Sequence, residues 1–398
     1  MKRSISTRLQ RLSPSATFEM ARKSAELASQ GVDVVNMSVG EPDFDTPQPV
    51  REAALAAIEN GYTRYSPVPG FMSLRKAVCE KLLRENGLQY DPSEIIISGG
   101  AKQSICNALL SLLDPGDEVI IPIPSWVSYP QMAMLAGGTP VFVSGPIEQD
   151  FKITPAQLEA AITPRSRVFL FCSPSNPSGA VYSAPELETL AGVILRHEDL
   201  MVISDEIYEH INYTGSYASI AAVPGMRERT VVVNGVSKAY AMTGWRIGYM
   251  AAPKWLADAC NMLQGQYTSC PSSVSQMAAE AALRGNQDSV EEMRLSFLRR
   301  RDLLIGLLKE IPGLKISVPH GAFYLLPDCS SYMGKSFGGK AINSGVDLSM
   351  YLLTQAHVAT VGGDPFGAPG CIRISYSTSE DRIREGARRI KEALSLLV

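Results

Sequence analysis

The chain has 398 residues, 45 % of them hydrophobic and 19 % charged, with a formal net charge of −3. That length and apolar content predict two or three lobes around a large core. The slight acidic balance leaves no basic excess for a nucleic-acid backbone or an anionic membrane, and no apolar run reaches the roughly 18 residues of a membrane span.

Seven cysteines (79, 106, 172, 260, 270, 329, 371) are scattered without a C-x-x-C pair, which suits free thiols in a reducing compartment. The four histidines (197, 210, 320, 357) never reach H-x-x-x-H spacing, so no metal site is expected. The opening Met1-Lys-Arg-Ser-Ile-Ser-Thr-Arg is basic, but no apolar stretch follows it. It does not read as a secretory signal, and a cytoplasmic location is expected.

In chain order, short β-branched runs recur at 94–98, 118–121, 140–144, 168–172, 200–204, 230–234 and 246–250. Between them lie helix-like stretches at 103–113, 127–136, 154–162 and 185–196. The last opens on Ser183-Ala-Pro-Glu186, a capping-box pattern with proline in the first turn. Such alternation predicts an α/β fold: a mostly parallel sheet with helices on both faces and ligands at the strands' carboxyl ends. From about residue 285 the texture changes. A long helix with the basic run Arg299-Arg-Arg301 leads to strands near 315–318, 323–326, 357–361 and 371–376, then a helix over about 379–396. The expected division is an N-terminal segment (1–45), a large domain (46–285) and a small α+β domain (286–398).

Four segments just after predicted strands carry the chemistry. In Asn234-Gly-Val-Ser-Lys238-Ala-Tyr-Ala-Met-Thr-Gly-Trp-Arg246-Ile-Gly-Tyr249, Lys238 lies among small residues that admit a bulky ligand. A desolvated lysine there can lose its proton and attack an aldehyde. Arg246 offers a planar cationic fork suited to a phosphate dianion. Ser204-Asp205-Glu-Ile-Tyr208 puts a carboxylate at a strand end, where capping a helix is its commonest use. Ser173-Pro-Ser-Asn176-Pro177-Ser-Gly179 is turn sequence. In Ser98-Gly-Gly100-Ala101-Lys102-Gln103, small residues between strand and helix let backbone N–H groups receive a phosphate. None of these is specific alone.

Together, and in this order, they resemble the class I/II pyridoxal-5′-phosphate (PLP) aminotransferases, especially the aspartate/prephenate branch. The similarity runs from Gly40-Glu-Pro-Asp-Phe-Asp-Thr-Pro47 to Ile372-Arg-Ile-Ser-Tyr-Ser-Thr378. It implies the type I fold of PLP-dependent transferases, with a seven-stranded sheet in the large domain. It also implies that Lys238 carries PLP covalently, Asp205 faces the pyridine nitrogen, and Tyr208 and Asn176 reach the 3′-oxygen. The same pattern assigns the phosphate to Gly100, Ala101, Lys102, Ser237 and Arg246, and stacks Trp126 on the ring. Cis bonds are implied at Asn176–Pro177 and Ile123–Pro124. Arg373 becomes the clamp for the substrate α-carboxylate, with Gly40 and Asn176 beside it. Lys102, assisted by Thr17, reads a distal carboxylate. Tyr65, in the stretch 62–75, resembles the tyrosine that crosses a homodimer interface to the partner's phosphate.

Two departures stand out. Gly235 sits where relatives often carry serine, which removes one hydroxyl from the phosphate site. Ser13 sits where some carry a basic residue, which weakens a prephenate assignment. The resemblance implies ping-pong transfer between an amino acid and a 2-oxo acid, with aspartate and 2-oxoglutarate favoured. Prephenate or aromatic substrates are additional partners. A PLP lyase or synthase would use the same residues. A ligand-sensing regulator would need a DNA-binding module for which the chain has neither length nor basic patch.

Overall fold

The computed structural model describes residues 5–398. All seven early strands form: β1 (Ile95–Ser98), β2 (Glu118–Ile123), β3 (Thr139–Ser144), β4 (Ser166–Cys172), β5 (Met201–Asp205), β6 (Thr230–Gly235) and β7 (Gly248–Ala251). They make one sheet in the order β1-β7-β6-β5-β4-β2-β3. Only β7 opposes its neighbours, pairing antiparallel with β1 and β6, while the other pairs are parallel.

Alternation along the strands divides the core into two layers. Ile96 joins one apolar cluster while Ile95 and Ile97 join another, and Val231 and Val233 separate from Val232 in the same way. Likewise Val168 and Leu170 face one side, Phe169 and Phe171 the other. Both faces are covered, so the strands read as unbroken apolar runs rather than half-polar ones.

The helices are α1 (Ala16–Ser29), α2 (Gln48–Glu59), α3 (Met72–Asn86), α4 (Ala101–Leu112), α5 (Ser128–Leu135), α6 (Pro155–Ala161), α7 (Ala184–Ile194), α8 (Lys254–Tyr267), α9 (Ser273–Arg284), α10 (Asp288–Leu308), α11 (Gly345–Ala356) and α12 (Glu380–Ser395). At the start of α7 the Glu186 carboxylate accepts from the Ser183 N–H and hydroxyl at 2.8 and 2.7 Å, closing the predicted cap. Among the described residues, no helix is long and apolar enough to cross a membrane.

A second, antiparallel sheet has the order β9-β10-β8, from β8 (Tyr324–Leu325), β9 (Val361–Gly362) and β10 (Ile372–Ser375). The N-terminal segment is stitched to these elements. Val35–Asn36 pairs in parallel with Val358–Ala359, and Ser375 N–H donates to Met37 O at 2.8 Å.

Three expectations need correction. Residues 315–318 form no strand, because Lys315 makes only an isolated bridge to Asp328 and Pro319 follows without an N–H. The run 357–361 is split: His357 is the left-handed cap of α11, Val358–Ala359 pairs with the N-terminal segment, and Val361–Gly362 pairs with β10. The seventh strand begins at Gly248 rather than 246, because Arg246 adopts φ 58°, which an extended strand does not accommodate.

Candidate functional site

The predicted site residues gather at one edge of the large sheet. β2, β4, β5 and β6 end there and lead to Trp126, Asn176, Asp205 and Lys238, and β1 leads to Gly100–Lys102. Because β7 runs the other way, its first residue lies at this same edge, with Gly248 in register opposite both Ser98 and Gly235. Arg246 therefore sits between the loop at 99–102 and the turn bearing Lys238. Its guanidinium donates to Thr243 O and Gly99 O at 2.8 and 3.0 Å.

Glycines make this approach possible. A Cβ on Gly248 would stand 2.2 Å from Ala101 N, and one on Gly100 (φ 99°) would stand 2.3 Å from Arg246 Nη2. A Cβ on Gly235 would stand 2.8 Å from Gly248 Cα and Ile247 O. The departure from serine at 235 thus has a steric reason: β7 crosses too closely for any side chain. Ser237 is buried in the turn that follows. Gly100 caps α4, a twelve-residue helix whose N-terminus faces Arg246.

Lys238 is partly buried and donates to Gly40 O. Its ammonium lies 5.9 Å from the ring centroids of Tyr208 and Phe323. Burial pushes its amine down to about 8, with Arg373 and Arg246 adding to the effect and Glu41 and Asp205 opposing it. Asp205 is deeply buried, and burial raises its carboxyl to about 6 against the pull of its hydrogen bonds. Among the described residues those bonds come only from the Tyr129 hydroxyl (2.6 Å) and Ile207 N–H (3.2 Å). Among the described residues, no cation is hydrogen-bonded to this carboxylate.

On the opposite side, Arg373 lies on β10 and is 1 % exposed, not the solvent-facing charge that a lone strand arginine usually is. It donates to Asn176 Oδ1 at 2.9 Å and Ser38 O at 2.8 Å, while its buried Nε has no partner among the described residues. Its guanidinium lies 4.5 Å from the Tyr324 ring. Asn176 is buried, and the Asn176–Pro177 and Ile123–Pro124 peptides are both cis, as is Ser173–Pro174.

Lys102 is exposed, and its ammonium sits 4.7 Å from the Trp126 ring centroid. Ala16, beside Thr17, packs with Trp126 against one apolar cluster. Thr17 Oγ1 is buried without a partner among the described residues, and no hydrogen bond joins it to Lys102. Tyr65 is not brought to the site within the chain; it is 92 % exposed.

Two tyrosines were missed. Tyr129 touches Asp205 and packs edge-on against Trp126 (5.5 Å, 89°). Its signal was faint: a polar-tipped aromatic three residues after Trp126, in a short helix that also carries Ser128 and Gln131. Tyr324 joins its hydroxyl to that of Tyr208 at 2.9 Å, and a Cβ on Gly40 would stand 3.0 Å from the same oxygen. Nothing in the strand pattern around 324 distinguishes it from core.

Residues 32–390 match the family described as aminotransferase class I and II. The chain is 50 % identical over 396 residues to a bifunctional aspartate aminotransferase and glutamate/aspartate-prephenate aminotransferase of Petunia hybrida, covering 98 % of this chain and 83 % of that one. It is 47 % identical to an aspartate/prephenate aminotransferase of Cereibacter sphaeroides, covering 97 % and 98 %. Among solved structures, the aspartate aminotransferase of Rhizobium meliloti superposes with a TM-score of 0.96 at 46 % identity over the whole of both chains. That of Thermus thermophilus with maleate gives 0.92 at 44 % identity, covering 98 % and 100 %. With the family's match spanning most of the length and the fold shared throughout, the chain belongs to the class I and II aminotransferases, PLP-dependent enzymes acting on amino acids and 2-oxo acids.

Proposed function

We propose that this protein moves the amino group of aspartate to 2-oxoglutarate by a ping-pong route, with PLP held on Lys238, and that prephenate is an alternative acceptor. The observation that carries this reading is the pairing of a lysine amine pushed down to about 8 with a buried carboxylate that, among the described residues, is hydrogen-bonded only by a tyrosine hydroxyl and a backbone N–H. A protonated pyridine nitrogen would give Asp205 a cationic partner, and glycine at 100, 235 and 248 lets Arg246, the start of α4 and the end of β6 approach so closely that one anion could meet both the guanidinium and the helix N-terminus. The chain's residues therefore fit PLP.

When bound, that cofactor supplies an electron-withdrawing ring that accepts the electron pair left at the substrate Cα. Asp205 would keep the ring nitrogen protonated, and Tyr129 steadies its carboxylate by donating to Oδ2. Arg246, with the Ala101 and Lys102 N–H groups at the start of α4, would hold the phosphate. Tyr208 and Asn176 would hold the cofactor's 3′-oxygen, and Trp126 would pack against its ring. Arg373 grips the α-carboxylate through a fork already fixed by Asn176 and Ser38. The Lys238 amine, near neutrality and beside Gly40, carries the proton to and from Cα. Aspartate with 2-oxoglutarate, assayed for oxaloacetate and glutamate, tests the reading; products without amino transfer would indicate a lyase instead.

Lys102 supports the choice of a dicarboxylic substrate. Its ammonium projects beside Trp126, and the Thermus thermophilus relative was solved with maleate, a dicarboxylate. Losing one ammonium–carboxylate contact costs about 1.5–3 kcal/mol. Lys102→Ala is therefore expected to lower kcat/KM for aspartate roughly 10–100-fold while affecting phenylalanine far less. Alanine keeps the backbone N–H, so equal losses for both donors would mean that the side chain serves the cofactor.

Tyr65 supports a homodimer with shared sites. Its segment rests on α8, where Gln264 donates to Val68 O at 2.9 Å, and Met262 and Tyr267 of that helix are 69 % and 67 % exposed. Exposed apolar side chains beside Tyr65 are consistent with a partner surface there. A mixed dimer of Tyr65→Phe and Lys238→Ala subunits collects both defects in one site and leaves the other intact, so about half the wild-type activity per dimer is expected. If Tyr65 served its own chain, only half the activity of the Tyr65→Phe enzyme would remain.

A further inference from the structure

Behind the site, a lysine lies fully buried where no substrate reaches. Lys81, on α3, is 0 % exposed and forms an ion pair with Glu209, itself almost fully buried. An apolar cluster that includes Val78, Leu82, Tyr240 and Tyr249 lies on this same face of the sheet. Taking two such charges out of water costs more than an exposed pair returns, so stability alone does not account for them.

The hydrogen bonds around the pair point elsewhere. Glu209 Oε1 accepts from Asn234 Nδ2 at 2.8 Å, and Glu209 Oε2 accepts from Asn86 Nδ2 at 2.9 Å. Asn86 Oδ1 in turn accepts from Lys81 Nζ at 2.8 Å. Asn234 Oδ1 then accepts from Gly235 N–H at 2.7 Å, at the last residue of β6, just before the turn that leads to Lys238. Glu209 directly follows Tyr208 in the turn after β5. One carboxylate therefore ties together the turns leaving two neighbouring strands, β5 and β6, and α3 anchors it.

Glu85, Glu209 and His210 also bring ligand-type atoms within 4.8 Å of one another. The cation between those carboxylates is the Lys81 ammonium, which ion-pairs with Glu209 and lies 3.5 Å from Glu85. His210 closes the outer side, 2.9 Å from Glu85 and 3.6 Å from Glu209. Arg84 adds a second cation, 2.5 Å from Glu85, so each of the two carboxylates already has a cationic partner from the chain.

We propose that the buried Lys81–Glu209 pair, acting through Asn234, is a positioning device that sets the two turns carrying Tyr208 and Lys238. None of the three touches substrate or cofactor. The proposal rests on the reading of Lys238 and Tyr208 as cofactor-facing groups. Failure of that reading would appear in the wild-type protein, which would not take up PLP on Lys238.

The test uses a double variant, Lys81→Met with Glu209→Leu, which removes both charges and fills the space with apolar atoms. Such replacements of a buried pair commonly keep a protein folded. Denaturant unfolding checks this. The expected result is a folded enzyme whose kcat falls about 10-fold while KM for aspartate moves less than about 3-fold, because Arg373 is untouched. In the cofactor-free protein, amide hydrogen exchange at 206–209 and 235–238 should quicken about 10-fold while the interior of β4 keeps its protection. Asn234→Ala, which leaves the ion pair in place, should give the same pattern and decides the matter if the double variant does not fold. Wild-type kcat and wild-type exchange in either folded variant would overturn the proposal.

Discussion

Lys238→Ala is expected to lower transamination by about 10⁴-fold or more while the protein stays folded and still takes up PLP non-covalently. A positioned general base alone accounts for about 10²–10⁴-fold, and the same amine provides the covalent anchor. Retention follows because Arg246, the start of α4 and Asp205 do not depend on the lysine. Absorbance after gel filtration measures occupancy, and a coupled assay measures the residual rate. In the wild-type protein, borohydride should fix the pyridoxyl group on the peptide containing Lys238; label on another lysine would remove the assignment.

The depressed amine makes a second readout available without cofactor. At pH 8 about half of a group titrating near 8 is neutral, whereas an ordinary lysine near 10.4 is less than about 1 % neutral. Brief acylation of the cofactor-free protein at that pH should modify Lys238 on the order of 100-fold faster than surface lysines of equal access. A rate equal to theirs would show that burial does not hold the amine near neutrality.

Arg373→Lys is expected to lower kcat/KM by about 10²–10³-fold for aspartate and phenylalanine alike. Breaking one side of a buried, hydrogen-bonded charge pair costs about 2–5 kcal/mol. Lysine keeps the charge but has no planar fork to span a carboxylate, and it cannot hold Asn176 Oδ1 and Ser38 O in the same geometry. The α-carboxylate is common to every amino acid, so the loss should ignore the donor's side chain. That separates Arg373 from Lys102, whose removal should discriminate between donors. Steady-state kinetics with both donors settles it: a loss confined to aspartate would mean that Arg373 reads the distal carboxylate and the two assignments must be exchanged.

Much of the fold was legible because local signals agreed. Seven β-branched runs became seven strands of one sheet, since strands buried on both faces must be apolar throughout. The Ser183–Glu186 cap and the strand-to-helix turn at Gly100 are likewise short-range features that a sequence displays directly. Failures came where a strand's fate depended on distant partners. The run 357–361 is divided between an N-terminal segment more than three hundred residues away and β10, and no local periodicity records that division.

The site follows the same rule. Lys238, Asp205, Asn176, Arg246 and Arg373 sit in motifs that, taken together and in order, resemble those of the class I/II aminotransferases, and that resemblance singled them out. That the protein is a class I and II aminotransferase was therefore determined by sequence. Only the tertiary structure decided that Arg373 is buried with its fork pinned, that Gly235 has no room for serine, and that Tyr129 holds Asp205. It also showed a lysine at 81 with no access to water. Each of these depends on a contact between segments tens to hundreds of residues apart, where desolvation and close approach set the chemistry. A side chain's identity is written in the chain, but its dielectric surroundings and neighbours exist only once the layers have packed.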